Sequence, residues 1–254
     1  MPMALIEVEK LTKTYRLGNL VTPVLEEVSF RVEEGEFCSI VGPSGSGKTT
    51  LLNLLGGLDR EYQGSLRIAG QEMRRLSDRQ ISLLRSRTIG FIFQSFHLLE
   101  HLTCQENVML PFFFAGRPTE EARQRAVMLL EKVGVAEKRR VRPTYISGGQ
   151  KQRVAIARAL ILQPKLLLCD EPTGNLDRET GAQIVELFRE LNRDLGVTVL
   201  VVTHDERMSR TAPRVLRLWD RRIEDTRTDP ARFVDHPARA SSVPPAPAGA
   251  GGAG

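Results

Sequence analysis

The chain has 254 residues, 41% apolar and 26% charged, with a net charge of +5. That length accommodates one large α/β domain, or a core with a smaller subdomain, without the disulfide or metal staples that small proteins need. The longest apolar runs, "VTVLVV" and "PFFFAG", fall far short of the ~20 residues of a membrane-spanning helix, and "MPMALIEVEKLTKTY" has no secretion pattern, so a cytoplasmic protein is expected.

In chain order, "LIEVEKL" and "VLEEVSFRVEEGEFCSIVG" alternate apolar and polar residues and read as strands, with a turn at Glu34-Gly35 before a continuous apolar strand at 37–41. That strand feeds a glycine-rich turn, and 48–55 is apolar at helical spacing until Gly56-Gly57 stops it. Ser77 with Gln80 resembles a capping box, and Pro118 opens a helix whose stripe is Ala122, Ala126, Leu129, Leu130 and Val133, closed by Gly134. Roughly 90–160 is therefore expected to be a helical subdomain. Strands return at "KLLLCDEP" and "VTVLVVTH" around a helix holding Ile184, Leu187, Phe188 and Leu191, an order that argues for parallel pairing. The expected fold is α/β: a parallel core sheet, an antiparallel N-terminal sheet and a helical insertion. One domain is expected over 4–228, with 229–254 a Pro/Ala/Gly-rich tail too poor in apolar content to order itself.

Cys38, Cys104 and Cys169 are too few and too scattered for a zinc site or disulfide framework. Basic stretches at 74–87 and 138–142 carry much of the charge, but no RNA-binding signature or helix-turn-helix spacing accompanies them, so no specific nucleic-acid partner is expected.

Gly42-Pro43-Ser44-Gly45-Ser46-Gly47-Lys48-Thr49, followed by Thr50, fits the phosphate-binding loop G-x-x-x-x-G-K-[ST] between a strand and a helix. Its glycines let backbone N–H groups converge on phosphates at a helix N-terminus. Lys48 adds a point charge, and the Thr49 hydroxyl is a Mg²⁺ ligand. Asp170, ending an apolar strand, is a second Mg²⁺ ligand, and the adjacent Glu171 is placed to deprotonate an attacking water.

Phosphate loop, Gln94 in "FIFQSF", "ISGGQKQR" at 146–153, "LLLCDEP", "GNLD" at 174–177 and His204 in "VVTHD" resemble, in order and spacing, the nucleotide-binding domain of ATP-binding-cassette (ABC) proteins. The resemblance covers residues 4 to about 225. It implies ATP and Mg²⁺ as cofactors and a head-to-tail pair of chains in which Ser147, Gly148, Gly149 and Gln150 of one copy cap the nucleotide of the other. It also implies that Tyr15 stacks on adenine, that Gln94 touches Mg²⁺ and the attacking water, that His204 contacts the γ-phosphate, and that Asp177 senses the opposite site.

"LLNLLGGLD", "FIFQSFHLLEHLTCQENVMLP" and "DEPTGNLD" resemble the lipoprotein-releasing and macrolide-exporting branch, which implies an integral membrane permease as partner at the cytoplasmic face of the inner membrane. Ile146, Glu100 and Arg221 depart from the usual leucine, proline and glycine. A transmembrane signalling ATPase controlling cell-wall hydrolysis uses nearly the same cassette, and a soluble ABC ATPase is a further alternative.

Overall fold

The computed structural model describes residues 4–116, 119–205 and 212–225. β1 (Ala4–Leu17) and β2 (Leu20–Glu33) form a long antiparallel hairpin, registered from Ala4 opposite Glu33 to Leu17 opposite Leu20. Both strands run longer than the alternation alone predicts. β1 also pairs with β4 (Gln63–Ile68), which turns back through β5 (Gln71–Glu72), giving the sheet order β2-β1-β4-β5. The periodicity reading assigned nothing to 63–72, where six residues and two residues are too short to display a period.

The second sheet contains β3 (Phe37–Val41), β6 (Ile89–Phe93), β7 (Leu166–Asp170), β8 (Thr198–Thr203), β9 (Arg214–Trp219) and β10 (Arg222–Asp225). Its order is β10-β9-β3-β8-β7-β6, parallel throughout except for the β9–β10 hairpin. The expected parallel core thus carries one antiparallel edge strand. β6 belongs to this sheet, so the helical segment expected from about residue 90 begins only after Phe93.

Among the described residues, six α-helices cover the sheets: α1 (Lys48–Leu55), α2 (Asp78–Thr88), α3 (Cys104–Phe114), α4 (Thr119–Lys132), α5 (Gly148–Leu160) and α6 (Arg178–Leu195). The Ser77–Gln80 capping box forms as expected. Ala122, Ala126, Leu130 and Val133 are buried along the α4 stripe, whereas Pro118 and the tail 229–254 lie outside the described residues.

The core is split by the six-stranded sheet. Successive strand residues point to opposite faces, so Leu166, Leu168, Leu200 and Val202 pack with β1, β2, α1 and α2. Leu167, Cys169, Val199 and Val201 pack with α3 to α6 on the other side. Both faces are dry, which is why these strands read as unbroken apolar runs. Each such side chain contributes about 1.5–3 kcal/mol on burial. The site therefore sits on a rigid platform.

Candidate nucleotide-binding site

Strand register places the chemistry. Val41 lies opposite Thr203, Val202 opposite Asp170, and Asp170 opposite Phe93, so β3, β8, β7 and β6 end along one edge. The residues that follow each strand are, in sheet order, the phosphate loop, His204, Glu171 and Gln94. Crevices at the carboxyl ends of parallel strands are where such sheets bind ligands.

A pocket of ≈ 390 Å³ opens there, lined by Val24 of β2, Ser44, Gly45, Gly47, Lys48, Thr49, Thr50 and Glu171. Gly47 holds φ +101°, and a Cβ there would lie 2.9 Å from Val24 Cγ1, so this turn into α1 excludes other residues on two counts. Lys48 Nζ donates to the carbonyls of Gly42 (2.9 Å) and Pro43 (3.0 Å), which folds the ammonium over the loop. Ser46 Oγ is buried without a partner.

The start of α1 has no side-chain cap and no acid in its first turn. By contrast α2, α3, α5 and α6 are capped by Ser77, Thr103, Ser147 and Asp177. The first N–H groups of a helix have no intrahelical acceptor and carry its positive dipole end, so this loop and helix fit a nucleotide's phosphates.

Thr49 Oγ1 donates to Asp170 Oδ1 at 3.3 Å, bringing two proposed Mg²⁺ ligands together. Burial pushes the Asp170 carboxyl above its ordinary value and Glu171 adds to the rise, against the Thr49 hydrogen bond and the Lys48 charge. A half-buried carboxylate beside a second one is stabilised by a cation, and this donor set fits Mg²⁺, which takes one or two carboxylates plus phosphate and water oxygens.

Glu171 occupies a left-handed backbone position, φ +45°, uncommon for a non-glycine residue. Its side chain accepts from the Thr203 hydroxyl (2.9 Å) and the His204 amide (3.1 and 3.2 Å), and His204 Nδ1 lies 2.8 Å from Oε1. Thr203 is a residue that sequence reasoning missed, although it ends the apolar run immediately before His204. Gln94 is clasped by Asn175, another missed residue: Gln94 Nε2 donates to Asn175 Oδ1 (3.1 Å), and Asn175 Nδ2 donates to the Gln94 carbonyl (3.0 Å).

Tyr15 is 44% exposed on β1, and its hydroxyl donates to Asp59. Ser147 caps α5 in a reciprocal box with Gln150: the Ser147 amide donates to Gln150 Oε1 and the Gln150 amide to Ser147 Oγ. Gly148 and Gly149 follow against the 175–180 segment, and a Cβ on Gly149 would lie 2.3 Å from Thr180 Cγ2. Asp177 caps α6 through the amides of Glu179 and Thr180, and the Thr180 hydrogen bonds hold its carboxyl below the usual range. Residues 147–150 and Asp177 do not line the phosphate-loop pocket of their own chain.

Strand, glycine loop and helix, with a pair of carboxylates ending a nearby strand, define a P-loop nucleoside-triphosphate hydrolase. Residues 25–174 match the ABC transporter family. The lipoprotein-releasing system ATP-binding protein LolD of Anaeromyxobacter dehalogenans is 48% identical over 219 residues, 86% of this chain and 92% of that protein. The macrolide export ATP-binding/permease protein MacB of Syntrophobacter fumaroxidans is 47% identical over 224 residues, 87% of this chain. This chain spans only 31% of that MacB's length. Among solved structures, the dimeric post-hydrolysis state of the cassette MJ0796 bound to ADP and Pi is 42% identical at a TM-score of 0.79, covering 86% of this chain and 96% of that one. The chain belongs to the ABC transporter family and is an ATP-binding, ATP-hydrolysing subunit of that family.

Proposed function

We propose that two copies of this chain stack head to tail on ATP to drive a separate integral membrane permease of the lipoprotein-release or macrolide-export type, at the cytoplasmic face of the inner membrane. The convergence of the phosphate loop, His204, Glu171 and Gln94 on one sheet edge carries the catalytic part of this reading.

Bound ATP supplies the transferable phosphoryl group, and Mg²⁺ neutralises charge on its oxygens. Lys48 and the loop amides bind and orient the phosphates, while Thr49, Asp170 and Gln94 would hold the ion. Glu171, kept in place by Thr203 and His204, accepts a proton from water, and His204 reports the terminal phosphate. Tyr15 presents its ring to adenine. Residues 147–150 and Asp177, which do not line their own chain's pocket, complete the site of the second copy.

A groove of ≈ 970 Å³ between α2, α3 and α5 supports a partner. Its lining combines Leu83, Phe91, Leu110, Phe114 and Leu162 with Arg79, Arg85, Arg87 and Arg158, and includes no acidic residue. Phe114 within it and Phe113 beside it are 80% and 77% exposed. Large apolar rings left in water mark interaction surfaces, and the arginines suit an acidic, partly apolar cytoplasmic segment of the permease.

The test is purification of the tagged chain from detergent-solubilised membranes of its own cells. An integral membrane protein should accompany it, and Arg79→Glu/Arg87→Glu should release that protein without lowering basal ATPase activity. Recovery with ribosomes or DNA, and no membrane protein, would refute the permease reading.

A further inference from the structure

Lys13 is a lysine that no part of the hydrolytic chemistry uses, yet its side chain is only 1% exposed. Burying an ammonium is costly unless it is paired, so its partners show what it holds. Nζ reaches both oxygens of Asp59, at 2.8 and 3.0 Å, and lies 4.5 Å from the centroid of the Tyr15 ring. The Tyr15 hydroxyl donates to Asp59 Oδ2 at 3.2 Å. One aromatic side chain is thus restrained twice, by a cation at its ring and by an acceptor at its hydroxyl. The residue as a whole stays 44% exposed.

Asp59 stands just beyond α1. Its amide donates to the carbonyl of Asn53 within that helix, and its Oδ1 also accepts from the Glu61 amide. The acceptor that orients Tyr15 is therefore tied to the helix whose other end forms the phosphate loop.

We infer that Lys13 and Asp59 are positioning residues for nucleotide binding: they lock the Tyr15 ring at a set distance from the phosphate loop, presenting it to an adenine base. This rests on the adenine-platform reading of Tyr15. An exposed tyrosine without these restraints samples several rotamers and loses that freedom on stacking, whereas a ring already held has little left to lose.

The test uses ADP and inorganic pyrophosphate, neither of which the ATPase consumes, titrated with Mg²⁺ into the full-length chain by calorimetry. A positioning role affects only the ligand that carries a base. Lys13→Met should raise the dissociation constant for ADP about tenfold, as expected for a weakened base–aromatic stack, and leave that for pyrophosphate within about twofold. Adding Tyr15→Ala to Lys13→Met should weaken ADP no further than Tyr15→Ala alone. Asp59→Ala removes both the acceptor of the Tyr15 hydroxyl and the partner that holds Lys13 at the ring, so it carries the test if Lys13→Met does not fold, and should show the same selective loss. Equal losses for ADP and pyrophosphate would reduce the pair to a structural ion pair and overturn the inference. So would unchanged ADP affinity in both variants while Tyr15→Ala is weakened. A Tyr15→Ala chain that binds ADP normally would overturn the platform reading itself, and this inference with it.

Discussion

His204 Nδ1 lies 2.8 Å from Glu171 Oε1, and the His204 amide donates to both oxygens of the same carboxylate. The residues assigned to water activation and to phosphate sensing are therefore one hydrogen-bonded pair. A neutral imidazole has a single N–H, so donation from Nδ1 to Glu171 leaves Nε2 an acceptor. A phosphate oxygen needs a donor there. If His204 engages the phosphate as proposed, its ring must let go of Glu171 to present a donor, which would link arrival of the nucleotide to the placement of the base.

Glu171→Gln should lower ATP hydrolysis by about 10²–10⁴, the usual contribution of a positioned general base, while ATP binding persists. Phosphate release assays beside equilibrium binding check this. Hydrolysis near the wild-type rate would remove Glu171 from the mechanism.

If residues 147–150 complete a second copy's site, damage in two different chains should fall together. Pairing a Lys48→Ala chain with a Ser147→Ala chain, both carrying Glu171→Gln, collects both defects in one site and leaves the other intact. Filtration of tagged, separately purified chains should then count about one occluded ATP per mixed dimer. Occlusion no better than the average of the two mutant homodimers would sink the two-chain site.

Gly149→Ala should destabilise the fold by about 1–3 kcal/mol, because the added methyl would lie 2.3 Å from Thr180 Cγ2 in a packed contact. Thr180→Ser removes that carbon, and the double variant should recover most of the loss in denaturant unfolding. Additive losses would mean that the glycine serves something other than this approach of α5 to α6.

Asp220 and Arg221 both hold left-handed backbone, φ +44° and +66°, in the β9–β10 turn. Relief of roughly 1–2 kcal/mol of strain outweighs the ~0.5–1 kcal/mol of backbone entropy that glycine adds. The exposed ion pairs of Arg221 with Glu26 and Asp220 contribute little. Arg221→Gly should therefore raise the melting temperature slightly in calorimetry, and a fall would show that those contacts outweigh the strain.

Burial alone pushes the Asp59 carboxyl up, but its hydrogen bond to Lys13, the Glu61 amide, the Lys13 charge and the Tyr15 hydroxyl hold it below its ordinary value. A carboxyl depressed in the folded state stabilises above its unfolded pKa, and that stabilisation fades as pH falls through the folded value. The stability deficit of Asp59→Asn should thus be constant from about pH 5 to 8 and shrink below about pH 4. A deficit that persists unchanged in acid would separate it from the ionised carboxylate.

The phosphate loop, the Asp170-Glu171 pair and the α2 cap were legible from residue order, because each is a local strand–turn–helix or capping pattern whose geometry is set within a few bonds. The buried strands were legible for a similar reason, since a sheet covered on both faces leaves an unbroken apolar run. Three relationships had no such signal: Thr203 and His204 around Glu171, Asn175 around Gln94, and Lys13 with Asp59 beneath Tyr15. Each joins residues far apart in the chain whose meeting depends on which strands become neighbours. Only the order β10-β9-β3-β8-β7-β6, and the packing of β1 and α1 on one face, decides that. Sheet order is selected by burying both faces at once, a property of the whole chain that no local stretch of sequence encodes.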